Sequence, residues 1–193
     1  PRPADLYAMA DARLSDDKAV RAKYDARVRQ AVADIVQKQV EIGIDIVADG
    51  EMSKPSFITY INERLGGFEV DKADRNQSPW AGSREVKAFP DFYAPQLANV
   101  HTKHTHYLCT SPVRYTGADK LKTDLENFKA ALGNVKPAGA FLPSTSVSSI
   151  EDWNRNAFYK TEEEYLFALA EAMGEEYRAI VDAGFVLQVD DPH

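Results

Sequence analysis

Residues 42–51 read IGIDIVADGE, a short β-branched run that ends in two carboxylates around a glycine. β-Branched side chains favour strands, and a continuous apolar run is typical of a strand buried on both faces. The run predicts a buried strand over residues 44–48 that delivers Asp49 and Glu51 to the rim of a cleft. If the strand continues through both acids, their side chains point to the same side, because strand side chains alternate with a period of two.

A second stretch ends in the same way. Residues 185–192 read FVLQVDDP, an apolar run followed by Asp190 and Asp191. Two strands that both end in acids are less easily explained by helix capping than one, so Glu51 and Asp190 are predicted to share a functional site. For Asp191, before Pro192, a capping role and a functional role are equally expected.

Helical spacing and capping signals organise the rest of the chain. The predicted helices span residues 16–41 and 54–65, the stretch with Leu121, Leu125, Phe128 and Leu132 that ends at Gly133, and the stretch from Thr161 to Gly184. The predicted strands are residues 44–48, 105–110, 138–143 and the run from residue 185.

This alternation of helices and strands predicts an α/β fold, either a doubly wound sheet or a (β/α) barrel. An eight-stranded barrel needs roughly 250 residues, so four strands in 193 residues would form about half of one. The chain begins at Pro1 without a methionine and stops at His193, three residues after a predicted strand. Residues 1–193 are therefore expected to be a single, incomplete domain.

The segment of residues 69–100 has weak periodicity and follows the early strand as a long excursion. Irregular segments of this length within a domain are more often functional than idle, as lids or binding loops. Residues 69–100 are therefore predicted to form a loop or lid.

Composition narrows the class of partner. The net charge of −7 argues against nucleic acid or an anionic membrane surface, since both select basic patches. No apolar run approaches the ~20 residues of a membrane span, and the N-terminus lacks a signal-peptide pattern, so a cytoplasmic protein is expected. Cys109 is the single cysteine, which excludes an internal disulfide and a multi-cysteine metal site within this stretch.

Other candidate side chains have plain structural alternatives. Ser144 and Ser146 belong to a hydroxyl-rich turn, where capping of backbone groups is favoured over ligand binding. Cys109 lies within a predicted strand and is interpreted as a core residue rather than a nucleophile. Three histidines cluster in the middle of the chain, but their spacing fits no metal signature and their role is not predicted: His101, His104 and His106.

The acidic motifs resemble the catalytic barrel of cobalamin-independent methionine synthase. The likeness covers most of the chain outside residues 69–100 and rests on residues 40–52, Phe57, Tyr60, Gly67-Phe68, 111–113, Thr116-Gly117 and 183–192. It implies a (β/α)8 barrel of the same broad superfamily as uroporphyrinogen decarboxylase, of which this chain is roughly the first half.

The resemblance also implies a function. Members of that family transfer a methyl group from methyltetrahydrofolate to the thiol of homocysteine, and a zinc ion presents the thiol as a thiolate. The acids that match Glu51 and Asp190 would bind the amino group of the substrate, a charge-assisted role. Asp49 is their less certain neighbour, and Ser144 and Ser146 would line the cleft. The expected partners are a small-molecule thiol and a folate.

The chain departs from the family in two ways. The zinc ligands of the family, a His-x-Cys pair, a Glu and a later Cys, would lie beyond His193, so residues 1–193 alone are expected neither to bind the catalytic zinc nor to turn over. The family reads His-Gly-Glu and Asp-Glu-Pro where this chain has DGE at 49–51 and DDP at 190–192. A related transferase that uses another thiol, such as coenzyme M, and a non-catalytic barrel scaffold are therefore the alternatives. The oligomeric state is not predicted.

Overall fold

The structure, a computed structural model, describes residues 2–72, 83–98, 105–133 and 135–192. The helices are α1 Ala4–Ala8, α2 Lys18–Glu41, α3 Arg84–Ala88, α4 Pro90–Ala98, α5 Ala118–Leu132, α6 Val147–Trp153 and α7 Glu162–Asp182, with 3₁₀ helices at Ala10–Leu14 and Thr59–Glu63. The strands are β1 Ile46–Ala48, β2 Leu65–Val70, β3 Tyr107–Tyr115, β4 Gly139–Thr145, β5 Asn154–Asn156 and β6 Val186–Asp190.

Three of the strands form a parallel sheet in the order β1-β4-β6. Ala48 of β1 lies opposite Phe141 of β4, and Thr145 of β4 lies opposite Asp190 of β6. The carboxyl ends of the three strands therefore meet at one edge of the sheet. At that edge β4 separates the two strands that lead into acidic residues.

Helices α2, α5 and α7 cover one face of this sheet. Val36 of α2, Phe128 of α5 and Ile180 of α7 are fully buried in one cluster together with Val47 and Leu142 of the sheet. The opposite face carries exposed apolar side chains, Ile46 on β1 and Val186 on β6. The helices thus hold the sheet from one side and position its carboxyl edge.

A second sheet has the order β2-β3-β5, with β2 antiparallel and β5 parallel to β3. Its core is a separate cluster that includes Leu65, Cys109 and Ile150, and the N-terminal part of α7 contributes Tyr165 and Met173. Helix α7 therefore packs against both clusters and joins the two sheets.

The long helices follow the sequence prediction closely. Asp17 is the N-cap of α2 and accepts hydrogen bonds from the backbone of Ala19 and Val20. Thr161 caps α7 in the same way, through the backbone N–H of Glu164. Helix α5, strands β1, β4 and β6, and their order along the chain are also confirmed.

The prediction of a helix over residues 54–65 was wrong. Only the 3₁₀ helix Thr59–Glu63 forms there, and Leu65 already begins β2. Gly67 lies inside the strand at a bulge, with φ 105°, where an added Cβ would lie 2.8 Å from the carbonyl oxygen of Pro112. Close approach of β3 at this bulge, which a local pattern cannot show, explains the glycine.

The strand predicted at 105–110 is longer, and it lies in the second sheet rather than in the parallel one. Of the described strands, three rather than four form the parallel sheet. Within 69–100 the structure describes 69–72 and 83–98, and the latter range contains α3 and α4. The proposal of a lid stays a prediction. Among the helices of the described ranges, none is both long and apolar enough to cross a membrane.

The first testable consequence concerns the helix layer over the parallel sheet. Phe128 is fully buried and stacks on Phe185 with 4.8 Å between ring centroids. Phe128→Ala should lower the free energy of unfolding by about 3–5 kcal/mol, because a large buried side chain is replaced by a cavity. Urea denaturation measures this change. Phe167→Ala is the matched control, since Phe167 is 70% exposed on α7, and a change of more than about 0.5 kcal/mol there would be unexpected.

Candidate functional site

Strand β1 ends at Ala48, and the chain then turns sharply. Gly50 and Glu51 have φ angles of 68° and 53°, and Glu51 is the one non-glycine residue with positive φ in the described ranges. The left-handed conformation costs a non-glycine residue about 1–2 kcal/mol, and such strain persists where surrounding contacts enforce it. The strand therefore does not continue through both acids, and the condition for Asp49 and Glu51 to face the same side is not met.

Asp49 supports the turn from within the protein. Its side chain is buried, and Oδ1 accepts a hydrogen bond of 3.0 Å from the backbone N–H of Glu51. Burial raises the pKa of Asp49 to about 6, although the Lys54 ammonium opposes this rise. Asp49 is thus placed to hold the backbone of Glu51.

Glu51 has the more accessible carboxyl group, with 30% of its side chain exposed. Its Oε1 atom is buried without a hydrogen-bond partner and lies 3.6 Å from Nζ of Lys54. Its backbone carbonyl accepts hydrogen bonds from Arg2 Nη2 at 2.9 Å and from the backbone N–H of Lys54 at 3.1 Å. The backbone of Glu51 is therefore fixed, while its carboxyl group is partly open to solvent.

Lys54 connects this turn to the neighbouring strand. The side chain is 4% exposed, and Nζ donates a hydrogen bond to the backbone carbonyl of Pro143 on β4. Nζ also lies 4.4 Å from the centre of the Tyr60 ring, a cation–π contact. One ammonium group thus joins the ends of β1 and β4.

Beneath Lys54 is a buried polar network centred on Glu176 of α7, which is 1% exposed. Its Oε1 accepts from Tyr60 and Ser144, both at 2.9 Å, and its Oε2 accepts from Tyr115 at 2.6 Å and Arg64 at 3.2 Å. Burial, followed by the Glu176 charge, raises the pKa of Tyr60 well above its ordinary value, so its phenol stays a donor. Arg64 also pairs with Asp124 on α5, which completes a network of opposite charges.

Glu176 was not predicted from the sequence. A signal was present, because Leu169, Met173, Glu176 and Ile180 follow one another at steps of four, three and four on the buried stripe of α7. A carboxylate on such a stripe needs several donors to remain charged.

The two predicted serines lie at the end of β4 in different surroundings. Ser144 points into the network and donates to Glu176. Ser146 is the N-cap of α6, where Oγ accepts from the backbone N–H of Ser149 at 3.1 Å and donates to Asp191 at 2.9 Å. For Ser146 this is the capping role favoured from the sequence. Contact of either serine with a substrate stays a prediction.

Asp190 ends β6 at the same edge. It is partly exposed, and its Oδ1 accepts a hydrogen bond of 2.6 Å from Gln188, while its backbone carbonyl accepts from Ser146 at 2.8 Å. Adjacent strands are ~4.8 Å apart, so β1 and β6 lie about 10 Å apart across β4. Glu51 and Asp190 thus lie at the same edge of the sheet, on either side of β4.

The described residues offer no metal site. No three His, Cys, Asp or Glu side chains converge within those ranges. His106 stacks on Trp153 with 5.8 Å between ring centroids, while His101 and His104 lie outside the described residues. Cys109 is fully buried, its thiol donates to the backbone carbonyl of Ser111, and burial raises its pKa, which agrees with a core residue rather than a nucleophile.

A cavity of about 250 Å³ lies between α2 and α5, on the helix side of the network. Tyr24 of α2, Asp124 of α5, Arg64 and Lys54 are among the residues that line it. Its lining does not include Glu51 or Asp190. The cavity therefore borders the turn after β1 through Lys54, but neither of the two acids lines it.

These features define an α/β protein of the barrel class, with polar groups gathered at the carboxyl ends of parallel strands. Residues 3–110 match the family model described as the catalytic domain of cobalamin-independent synthase. Since the match covers more than half of the chain, the chain belongs to this family. The resemblance inferred from the acidic motifs is confirmed.

The chain is similar to curated proteins of the same kind. It is 26% identical over 163 residues to the methionine synthase of Sulfolobus acidocaldarius, an alignment that covers 84% of this chain and 40% of that protein. It is 25% identical over 164 residues to the methionine synthase of Sulfurisphaera tokodaii, again with 84% and 40% coverage. The chain thus spans less than half the length of these relatives.

A solved structure supports the fold. The B12-independent methionine synthase from Shewanella sp. W3-18-1, determined in complex with selenomethionine, is similar with a TM-score of 0.62 at 18% identity. The similarity covers 89% of this chain and 43% of that one. The predicted fold class, a partial (β/α)8 barrel, is confirmed.

The buried state of Asp49 makes the stability depend on pH. Its pKa is about 6 in the folded chain against an ordinary 3.8, so the folded state retains this proton while the unfolded state loses it. The free energy of unfolding should therefore fall by about 3 kcal/mol through this group as the pH rises from 4 to above 6. Asp49→Asn keeps the acceptor oxygen and removes the contribution of Asp49 to the pH dependence of unfolding.

The advantage of Asp49→Asn over the unchanged chain should accordingly grow from pH 4 to pH 7, as measured by urea denaturation at each pH. Asp16→Asn, at an exposed position before α2, is the control and should show no such growth. A stability difference that is the same at both pH values would contradict the buried, protonated Asp49.

Glu176 generates a second prediction. Glu176→Gln places an amide N–H₂ among the four donors and leaves Arg64 with one carboxylate partner, so the free energy of unfolding should fall by about 3–5 kcal/mol. Glu175→Gln is the matched control, because Glu175 is the exposed neighbour on the same helix. Equal effects of the two substitutions on urea unfolding would show that the network contributes nothing.

Proposed function

We propose that this chain forms part of a cytoplasmic S-methyltransferase of methionine biosynthesis. The enzyme would transfer a methyl group from methyltetrahydrofolate to the thiol of an amino-acid substrate such as homocysteine. Membership of the cobalamin-independent synthase family supports the reaction class. The observation that carries the proposal is Glu51, a carboxyl group held at the end of a barrel strand by a strained and fully anchored backbone.

The proposed role of Glu51 and Asp190 is to bind the substrate ammonium group. Both carboxyl groups are partly exposed; Glu51 follows β1, Asp190 ends β6, and β4 lies between these two strands. Charge-assisted hydrogen bonds from an ammonium group to carboxylates are worth about 1.5–3 kcal/mol each. Two of them would fix the position of the amino acid relative to the strand ends.

The charge of this edge favours an amino-acid thiol over a sulfonate thiol such as coenzyme M. Glu51, Asp190 and Asp191 all lie at the carboxyl edge of the sheet. A sulfonate carries a negative charge and no ammonium group, so carboxylates would repel it. The coenzyme M alternative therefore receives no support from the site, and neither does a scaffold without substrate.

The residues of this chain would bind and orient the substrate. Asp49 holds the backbone of Glu51, and Lys54 pairs with the Glu51 carboxyl group while it donates to Pro143 on β4. The zinc ion implied by the family would present the thiol as a thiolate when bound. The described residues do not fit such an ion, because no three potential ligands converge in them, so thiol activation is not assigned to these residues.

The proposal is tested by binding of the product amino acid. Glu51→Gln and Asp190→Asn should each weaken L-methionine binding about 10- to 100-fold, because each removes one charge-assisted hydrogen bond. Affinity for 4-(methylthio)butanoate, which lacks the amino group, should stay within about twofold. Isothermal titration calorimetry measures both ligands.

Glu126→Gln is the control, since its side chain is 63% exposed on α5 and distant in sequence from the strand ends. In a protein that contains this chain, Glu51→Gln should also slow methionine formation from homocysteine and methyltetrahydrofolate at low homocysteine. If L-methionine binds equally well to the Glu51 variant and the unchanged chain, the assigned role is wrong.

A further inference from the structure

We propose that Lys54 is a positioning residue that sets the specificity of the site for an ammonium group by holding the Glu51 side chain in place. This inference rests on the proposed function of Glu51 and adds a residue that neither the family match nor the sequence motifs assign. The juxtaposition that carries it is an ammonium group 3.6 Å from the buried Oε1 of Glu51.

Lys54 is itself rigidly held. Nζ donates to the carbonyl of Pro143 on β4 and lies over the Tyr60 ring, and Tyr60 in turn donates to Glu176 at 2.9 Å. The side chain is 4% exposed, so its position is set by the protein interior. Because Lys54 is fixed to β4 and also contacts Glu51, it can set the position of the Glu51 side chain relative to β4.

Glu51 needs such a constraint, because its Oε1 is buried and has no hydrogen-bond partner. A buried carboxylate oxygen without a donor is unfavourable unless a charge compensates for it. The Lys54 ammonium, which lies 3.6 Å from Oε1, supplies this compensating charge. With Oε1 held inward, the rest of the carboxyl group is directed to the partly exposed side where a substrate can reach it.

Removal of the Lys54 charge would leave two carboxyl groups in one turn. Asp49 interacts electrostatically with both Lys54 and Glu51, and the two effects have opposite signs. Without Lys54, the pKa of Asp49 would rise further, and the buried Oε1 of Glu51 would lose its compensating charge, so the more exposed Glu51 side chain would turn outward to solvent. The substrate would then have to immobilise Glu51 on binding, which weakens the affinity about tenfold at most for one flexible side chain.

A competing effect has the opposite sign. Lys54 also lowers the negative potential that attracts an ammonium ion, so its removal could strengthen binding. The positioning effect is expected to win, because Asp49 already offsets much of the Lys54 charge at this turn. The direction of the measured change decides between the two.

The experiment compares the affinity ratio of L-methionine to 4-(methylthio)butanoate in four chains by calorimetry: the unchanged chain, Lys54→Gln, Glu51→Gln and the double variant. Lys54→Gln should lower the ratio about tenfold in the unchanged background and less than twofold in the Glu51→Gln background, because the lysine acts through the glutamate. Lys122→Gln, at a side chain that is 74% exposed, is the control.

Two results would overturn the inference. If Lys54→Gln weakens the binding of both ligands equally, Lys54 has a general structural role. If L-methionine binds more tightly, the Lys54 charge acts only by reducing the negative potential that attracts the ammonium group. If Lys54→Gln fails to fold, as judged by circular dichroism, Lys54→Arg replaces it. Because this variant retains the charge, the affinity ratio should stay within about threefold. A larger loss overturns the inference. An unchanged ratio in Glu51→Gln alone would instead refute the proposed function.

Discussion

The arrangement of this chain depends on the hydrogen bonds that the buried Glu176 carboxylate accepts. Four donors from four different parts of the chain converge on it: Tyr60, Arg64, Tyr115 and Ser144. These donors come from the 3₁₀ helix, the turn residue that follows it, strand β3 and strand β4. A buried charge of this kind tolerates few alternative arrangements, because any displaced donor leaves an unsatisfied polar group behind. Glu176 therefore fixes how α7 sits between the two sheets.

The contacts around Glu176 extend to the carboxyl edge of the parallel sheet. Tyr60 contacts Glu176 through its hydroxyl group and Lys54 through the face of its ring. Lys54 in turn contacts β4 and Glu51. A continuous chain of contacts thus runs from the middle of α7 to the acidic turn after β1. The apolar clusters on either side of this chain supply most of the burial, whereas the polar contacts select one geometry at the strand ends.

The sequence predicted those features that depend on neighbours along the chain. Helices α2 and α7 carry an apolar stripe and a capping residue, Asp17 and Thr161, and both were placed within two residues of their observed ends. The strands that end in Asp49 and Asp190 were likewise found from short apolar runs. Strand β2 was not predicted, because residues 54–65 have helical spacing and only the pairing with β3 makes the residues from Leu65 onward extended. Contacts between distant residues were out of reach, which is why the partners of Glu176 could not be predicted.

The acidic turn shows how one such distant contact bears on chemistry. In this turn, Asp49 accepts a hydrogen bond from the backbone N–H of Glu51. The aspartate that makes this bond also brings a carboxyl group into a buried turn beside a second one. Burial keeps the pKa of Asp49 near 6, and the Lys54 ammonium opposes the rise. The same Lys54 cation therefore acts on both acids of the turn: it pairs with Glu51 and favours the charged form of Asp49.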